Sequence, residues 1–327
     1  MPTRAQTKAS NRHNNGVSDN GVYVQLDELV RLQHRASGFS FLPKQPIHSI
    51  LSGRHASKLR GRGLNFEELR NYLPGDDTRH IDWKVTARTH TPYVRVYTEE
   101  KDRTVWLLID QRVGMFFGSQ QRMKSVVAAE VAAISAWRVL SGGDRVGALV
   151  FSDSDISVVP PHRSHERVMQ ILKQVVEKNQ ALSASRDLKP DPGKLNEVLK
   201  QASMLARHDC LICLITDGDG LNSETGKYIT RLAEHNDVLT AFIYDPLEKD
   251  MPAAGRLRFA DGEGQLETDT SSKKFRQAFK NKFEQRLEGI QSASRRFSIP
   301  VLPLNTTEPV ADQLRDVFGH HLGTKRL

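Results

Sequence analysis

Cysteine is nearly absent: Cys210 and Cys213 are the only two in 327 residues. They stand in LICLIT, where a spacing of three along a strand turns them to opposite faces, so they read as small core residues and not as a redox pair. A disulfide-stapled secreted scaffold is excluded, and a reducing compartment is expected. No apolar run reaches the length needed to cross a bilayer, and MPTRAQTKASNRHNNG lacks the apolar stretch of a signal peptide. The expectation is therefore a soluble cytoplasmic protein. Catalytic signatures are missing as well. GLNSETGKY has one residue too many for a phosphate loop and Tyr228 in place of the Ser or Thr that holds magnesium. HERVM offers His165 and Glu166, but Met169 takes the second zinc position, and no G-x-S-x-G nucleophile elbow occurs.

What is present begins with charge. The formal net charge is +8, and residues 1 to 62 hold ten Lys/Arg against three Asp/Glu, leaving thirty-seven against thirty-six in the rest. The basicity belongs to the N-terminal arm, whose cations could meet any polyanion, an anionic surface included. No aromatics alternate with those cations as a base-stacking surface requires, so sequence-specific nucleic-acid recognition is not expected.

Residues 1–20 read as a disordered basic lead-in, and LDELVRL as the start of a helix with Leu26, Leu29, Val30 and Leu32 on its apolar side. A Pro-, Gly- and Ser-marked stretch follows, then a charged segment, then the alternating strand PYVRVYTEE. From Thr104 the pattern changes to continuous apolar strands (TVWLLID, RVGALVF, LICLIT, DVLTAFIY) separated by amphipathic helices, with ISVVP as a further strand and FSIPVLPLN as the last. Strands alternating with helices define an α/β protein with a parallel sheet. The division expected is 1–20 lead-in, 21–103 smaller N-terminal β-containing subdomain and 104–327 sheet domain, with a Gly- and charge-rich insertion near 250–271.

Asp110 closes TVWLLID and Asp217 follows LICLIT, so both carboxylates are expected at the carboxyl ends of neighbouring strands, where open α/β sheets gather ligands. From Asp110 onward the chain resembles a von Willebrand factor A-type domain, a Rossmann-like fold whose metal-ion-dependent adhesion site is written D-x-S-x-S, a distant Thr and a later Asp. Asp110 and Asp217 match that site. The two Ser positions hold Arg112 and Gly114, and the Thr region, DPGKLNEVL, offers Gly193 and Lys194. The resemblance thus implies a degenerate metal site, with magnesium the ion it would take. Arg112 and Lys194 are the expected countercharges for the two carboxylates, since a buried carboxylate pair needs compensation.

A second resemblance is carried by GRGLNFEELRNYLPGDDTRHIDWKVTARTHTPYVRVYTEE, at Gly63, Phe66, Arg70, Tyr72, Gly75, Asp76, Arg79, Ile81, Asp82, Trp83, Ala87 and Arg88. It resembles the hallmark region of a bacterial family called domain of unknown function 58, whose members often accompany MoxR-type AAA+ ATPases. Residues 60 to 103 hold nine Lys/Arg against eight Asp/Glu, so the segment is charge-dense but nearly neutral and suited to pairing with itself. Pro74-Gly75 predicts a turn, Asp76 or Asp77 a cap on a short helical turn, and Glu67, Arg70, Asp82 and Arg88 ion pairs around Trp83. Asp76, Asp77 and His80 have no nucleophile or cofactor motif beside them, so no catalytic residue is assigned.

The resulting expectation is a non-catalytic protein-binding adaptor. Arg70, Asp76, Asp77, Arg79, Asp82, Trp83 and Arg88 form its contact surface, and a MoxR-type AAA+ ATPase or that ATPase's client is its partner in chaperone-like maturation. Two alternatives stand beside it: a magnesium-dependent phosphohydrolase using Asp110, Asp217 and Asp219 at the sheet edge, and anionic-surface binding through the basic arm.

Overall fold

The computed structural model describes residues 21–36, 64–99, 102–183, 189–261, 264–297 and 299–319. Helix α1 (Leu26–Arg31) carries Asp27 and Glu28 in its first turn and Arg31 in its last, each at the end where the helix dipole favours its sign. It is pinned from several sides. Trp137 Nε1 donates to the Leu29 carbonyl at 3.2 Å, Tyr23 Oη to the Leu182 carbonyl at 2.9 Å, and the Val24 amide to Asn179 Oδ1 at 2.9 Å. Val24, Leu29 and Ala36 are buried in the core of the large sheet. The division expected at residue 103 would group these three with the charged segment that follows. Residues 1–20 and 37–63, most of the basic arm, lie outside the described residues.

That charged segment forms a small unit of its own. Strand β1 (Leu64–Asn71) pairs antiparallel with β2 (Tyr93–Glu99), and between them run a turn, a 3₁₀ turn at Thr78–His80 and helix α2 (Trp83–Thr89). The apolar content of LNFEELRN is too thin for its strand to be read by pattern; a shift of register between Phe66 and Glu68 interrupts the alternation. Its partner β2 was legible.

The large sheet has six strands: β3 (Thr104–Asp110), β4 (Arg145–Phe151), β5 (Ile156–His162), β6 (Cys210–Thr216), β7 (Asp237–Tyr244) and β10 (Val301–Asn305). Their spatial order is β10-β7-β6-β3-β4-β5, parallel except for β5, which runs antiparallel beside β4. This is the doubly wound order, with the reversal of chain direction across the sheet falling between β3 and β6. The α/β class and Rossmann-like parallel sheet read from the sequence are the ones observed. Both edge strands carry proline, Pro160 and Pro161 in β5 and Pro303 in β10, where a missing amide costs no central ladder bond and discourages pairing with another chain.

Helices cover both faces. On one, Val105, Leu107 and Ile109 of β3 pack with α3 (Lys124–Ser141), α4 (His165–Gln180) and α9 (Val310–Gly319). On the other, Trp106 and Leu108 pack with α5 (Lys194–Leu205) and α6 (Ser223–Ala233). Cys213 belongs to the first core and Cys210 to the second, as their spacing implied, and burial pushes the Cys213 thiol up to about 12. The insertion near 250–271, read as Gly- and charge-rich, contains a hairpin of β8 (Arg256–Asp261) and β9 (Gly264–Asp269) between the single turn α7 (Pro246–Lys249) and the long α8 (Lys273–Phe297). Among the described residues no helix is long and apolar enough to cross a membrane.

Candidate functional site

Parallel register places the ends of β3 and β6 side by side, with Ile109 opposite Ile215. Asp110 and Asp217 therefore emerge together at the carboxyl edge, at the reversal point, and both are buried. Arg112 lies across Asp110 as a fork, its Nε 3.0 Å from Oδ1 and an Nη 2.6 Å from Oδ2, while Thr216 Oγ1 donates to Oδ2 at 2.7 Å. The same guanidinium reaches the Asp219 carbonyl at 3.1 Å, tying the loop after β6 to the loop after β3. Burial disfavours the charge on Arg112, but Asp110 more than offsets it and holds the group firmly protonated.

The cation on Asp217 is Lys124, not Lys194. Lys124 Nζ, 2% exposed at the start of α3, donates to Asp217 Oδ2 at 2.6 Å and to Glu248 Oε1 at 3.1 Å. Arg286 reaches in from α8, 2.9 Å from Glu248 and 3.5 Å from Asp217. Burial raises the Asp217 carboxyl, yet Lys124, Arg286 and Arg112 together bring it well below the ordinary carboxylate range. Lys194, the first residue of helix α5, instead bonds Glu197 of the same first turn at 2.9 Å and lies 3.6 Å from Asp191 just before it. Lys124, Glu248 and Arg286 escaped sequence analysis. Each is more than thirty residues from the nearest of its partners within this cluster, so no local spacing signals them.

Around this cluster is a cavity of about 540 Å³ whose floor is charged and whose rim includes Phe116, Phe117, Phe275 and Phe279. Asp153 laces two of its loops, accepting from the Val113 amide at 2.7 Å and the Asp191 amide at 2.8 Å. Gly220 closes a third: its φ is +83°, and a Cβ there would meet the Pro192 carbonyl oxygen at 2.4 Å, so no larger residue fits. A divalent cation would need free oxygens on Asp110 and Asp217. Both oxygens of Asp110 are engaged by Arg112 or Thr216, and those of Asp217 by Lys124 and the Asp219 amide. Gly114 adds no side-chain ligand. The residues present do not fit the ion, and among the described residues no group of three or more His, Cys, Asp or Glu is placed to hold one.

At the β1–β2 unit every carboxylate between residues 69 and 95 has a local task. Asp76 accepts two bonds from Arg70, at 2.8 and 2.7 Å, and one from the Leu73 amide at 2.8 Å, which closes the turn where Gly75 stands at φ +106°. Asp77 accepts from the Arg79 amide and side chain at 3.0 and 3.1 Å and starts the 3₁₀ turn. Asp82 caps α2 through the Lys84 and Val85 amides, at 3.0 and 3.1 Å, and binds Arg95 Nε at 2.8 Å with its other oxygen. All three carboxyls are held below their ordinary range. The Arg70 side chain is the chief cause for Asp76, the Arg79 side chain for Asp77, and the Val85 amide followed by Arg95 for Asp82.

The expected partners are thus regrouped: Arg70 pairs with Asp76, Asp82 with Arg95, and the side chain of Glu67 lies outside the described residues. Arg88 has no carboxylate partner among the described residues and stands exposed one residue before α2 ends at Thr89. The pairs do not surround Trp83, which is 68% exposed.

Residues 68–288 match the family described as Protein of unknown function DUF58. The chain belongs to that family. The match spans the end of β1, the Trp83 corner, the sheet edge and most of α8, so the DUF58 region holds both charged clusters. It is similar to the uncharacterized protein Rv1480 of Mycobacterium tuberculosis (strain ATCC 25618 / H37Rv), 28% identical over 220 residues that cover 67% of each chain. The uncharacterized protein Mb1516 of Mycobacterium bovis gives the same figures. Among solved structures, the conserved hypothetical protein BatB from Bacteroides thetaiotaomicron overlays with a TM-score of 0.42 at 16% identity, covering 67% of this chain and 97% of that one. A von Willebrand factor type A protein from Catenulispora acidiphila overlays at 0.39 and 12% identity, covering 71% of this chain and 45% of that one. The DUF58 fold seen here is compatible with a protein-interaction module.

Proposed function

We propose that this chain is a non-catalytic protein-binding adaptor that works with a MoxR-type AAA+ ATPase, holding that ATPase or its client through the corner around Trp83. The observation that carries the proposal is an indole 68% exposed on a unit in which Asp76, Asp77 and Asp82 are each paired with an arginine of the same unit. Tryptophan and arginine supply a disproportionate share of interface energy, and a rigid presenter loses little entropy on binding. In this reading Arg70, Asp76, Asp77, Arg79 and Asp82 set the shape of the surface, while Trp83 and Arg88 make the contact.

The sheet edge supports the non-catalytic half of the proposal. There Asp110, Asp217 and Glu248 are bound to Arg112, Lys124 and Arg286, which opposes the use of these three as a free base or a metal-binding pair. The test is capture of a purified MoxR-type ATPase by the full chain. Binding that falls at least about tenfold with Trp83→Ala is expected. Equal capture by wild type and variant overturns the role of the corner. Micromolar heats of magnesium binding that disappear in Asp217→Ala, or turnover of p-nitrophenyl phosphate, overturn the non-catalytic assignment.

A further inference from the structure

The exposed cations of the Trp83 corner bear on the chemistry of what it would hold. Between residues 69 and 95 there are three carboxylates, and Arg70, Arg79 and Arg95 each take one. Lys84 and Arg88 remain, both exposed and without a carboxylate partner among the described residues. They stand four apart on α2, so they share one helix face about 6 Å apart. Trp83 and Ala87, also four apart and exposed, form the adjacent stripe. Helix α2 therefore presents an apolar row led by an indole beside a row of two exposed cations that have no carboxylate partner among the described residues.

The apolar character extends beyond the helix. Five large hydrophobic side chains are exposed among the described residues, and Leu69, Leu73 and Trp83 of this small unit are three of them. A small unit that exposes three such residues has apolar surface to offer a partner. The fit is to a surface that offers carboxylates and apolar side chains together.

We infer that the partner docks on the Trp83 corner with a short acidic amphipathic segment, its carboxylates on Lys84 and Arg88 and its apolar side chains against Trp83. This rests on the proposed role of the corner in partner binding and adds the chemistry of the partner. A protein segment suits the spacing better than a nucleic-acid strand. Helix α2 has seven residues and spans about 10 Å. It offers two exposed cations with no carboxylate partner among the described residues, whereas a strand with a phosphate every ~3.4 Å would continue past them on a unit that also carries Asp76, Asp77 and Asp82. Two carboxylates one helical turn apart need no more than α2 provides.

The molecule carries its own reporter. Trp106 and Trp137 are 4% and 2% exposed, so acrylamide quenching of the full chain reads Trp83. The probes are a helical fourteen-residue Glu/Leu peptide with Glu at i and i+4, the same peptide with Lys for Glu, a dT oligonucleotide, and vesicles of phosphatidylserine and phosphatidylcholine. The Glu/Leu peptide is expected to shield Trp83 in a salt-sensitive manner, and the double variant Lys84→Glu/Arg88→Glu to weaken it by about tenfold or more. Neutralisation in Lys84→Gln/Arg88→Gln falls between, and far-UV circular dichroism checks that each variant folds.

Equal shielding by the Lys/Leu peptide, or unchanged affinity in both double variants, overturns the inference. Shielding by the oligonucleotide or the vesicles but not by the Glu/Leu peptide also overturns it, in favour of a polyanion or a lipid surface. Capture of the ATPase that needs Trp83 but ignores salt and both double variants leaves the adaptor role standing and removes the acidic partner. Loss of both effects removes the adaptor role too.

Discussion

The sheet edge and the Trp83 corner are both crowded with opposite charges, yet they are assembled by opposite routes. At the corner the paired residues lie two, six and thirteen positions apart, and the arginines that serve them stay partly in water. At the edge, Lys124 is ninety-three residues from Asp217 and a hundred and twenty-four from Glu248, and all three are buried. A local, hydrated network fixes the course of a loop at modest energy. A remote, dry one sets large desolvation costs against large attractions, so removing a single member is severe.

The contrast is tested most strongly at the edge. Lys124→Met leaves Arg286 as the one ion-pair partner of Asp217 and Glu248 among the described residues, and a loss of about 3–5 kcal/mol in urea-unfolding free energy is expected. A variant as stable as the wild type would show that the buried lysine is dispensable. Combining Lys124→Met with Asp217→Asn sharpens the point, because the two act on one bond. The double variant should fall short of the summed single losses by about 0.5–3 kcal/mol in a double-mutant cycle. Lys194→Met touches only the Asp191 and Glu197 pairs and is expected to cost less than about 1 kcal/mol. A loss matching that of Lys124→Met would reinstate Lys194 as a countercharge.

At the corner, Trp83→Ala should alter unfolding free energy by no more than about 0.5 kcal/mol while reducing partner capture, since an exposed side chain outside the core adds little to stability. A large thermal destabilisation would mean that the indole is part of the scaffold. The smallest effect concerns pH. Lys178 holds the Asp155 carboxyl down to about 2 from its ordinary 3.8. A depressed carboxyl stabilises the fold fully above 3.8 and loses that contribution as pH falls from 3.8 toward about 2. Solution NMR titration should place its midpoint near the lower value, and Asp155→Asn should remove this part of the acid dependence. A midpoint near 3.8 would show the pair to be broken in solution.

How far each region could be read in advance follows from the same distances. Continuous apolar strands such as TVWLLID and LICLIT are legible because burial on both faces leaves no room for polar residues. The order of those strands placed Asp110 and Asp217 together, and Arg112 was within reach of Asp110 by its place two residues on. Strand β1 was not legible, because a pattern broken at Phe66 and Glu68 has no period, and neither was the hairpin of β8 and β9 in a charge-rich stretch. A cap at Asp77 was within reach, since capping needs only the next three amides, whereas Asp82, read as an ion-pair partner, proves to cap α2 as well. Assigning Arg70 to Asp76 and Arg95 to Asp82 needed the antiparallel pairing of β1 with β2.

The amino-acid order alone determined an α/β chain with a parallel sheet, two cysteines on opposite faces and two acidic strand ends, because hydrophobic period and strand-end position are written within a few residues. Which cation meets which carboxylate was decided by the tertiary fold. Helices α3 and α8 bring Lys124 and Arg286 to Asp217 from far along the chain, and Coulomb attraction in a dry site depends on distance through space, to which sequence separation is no guide.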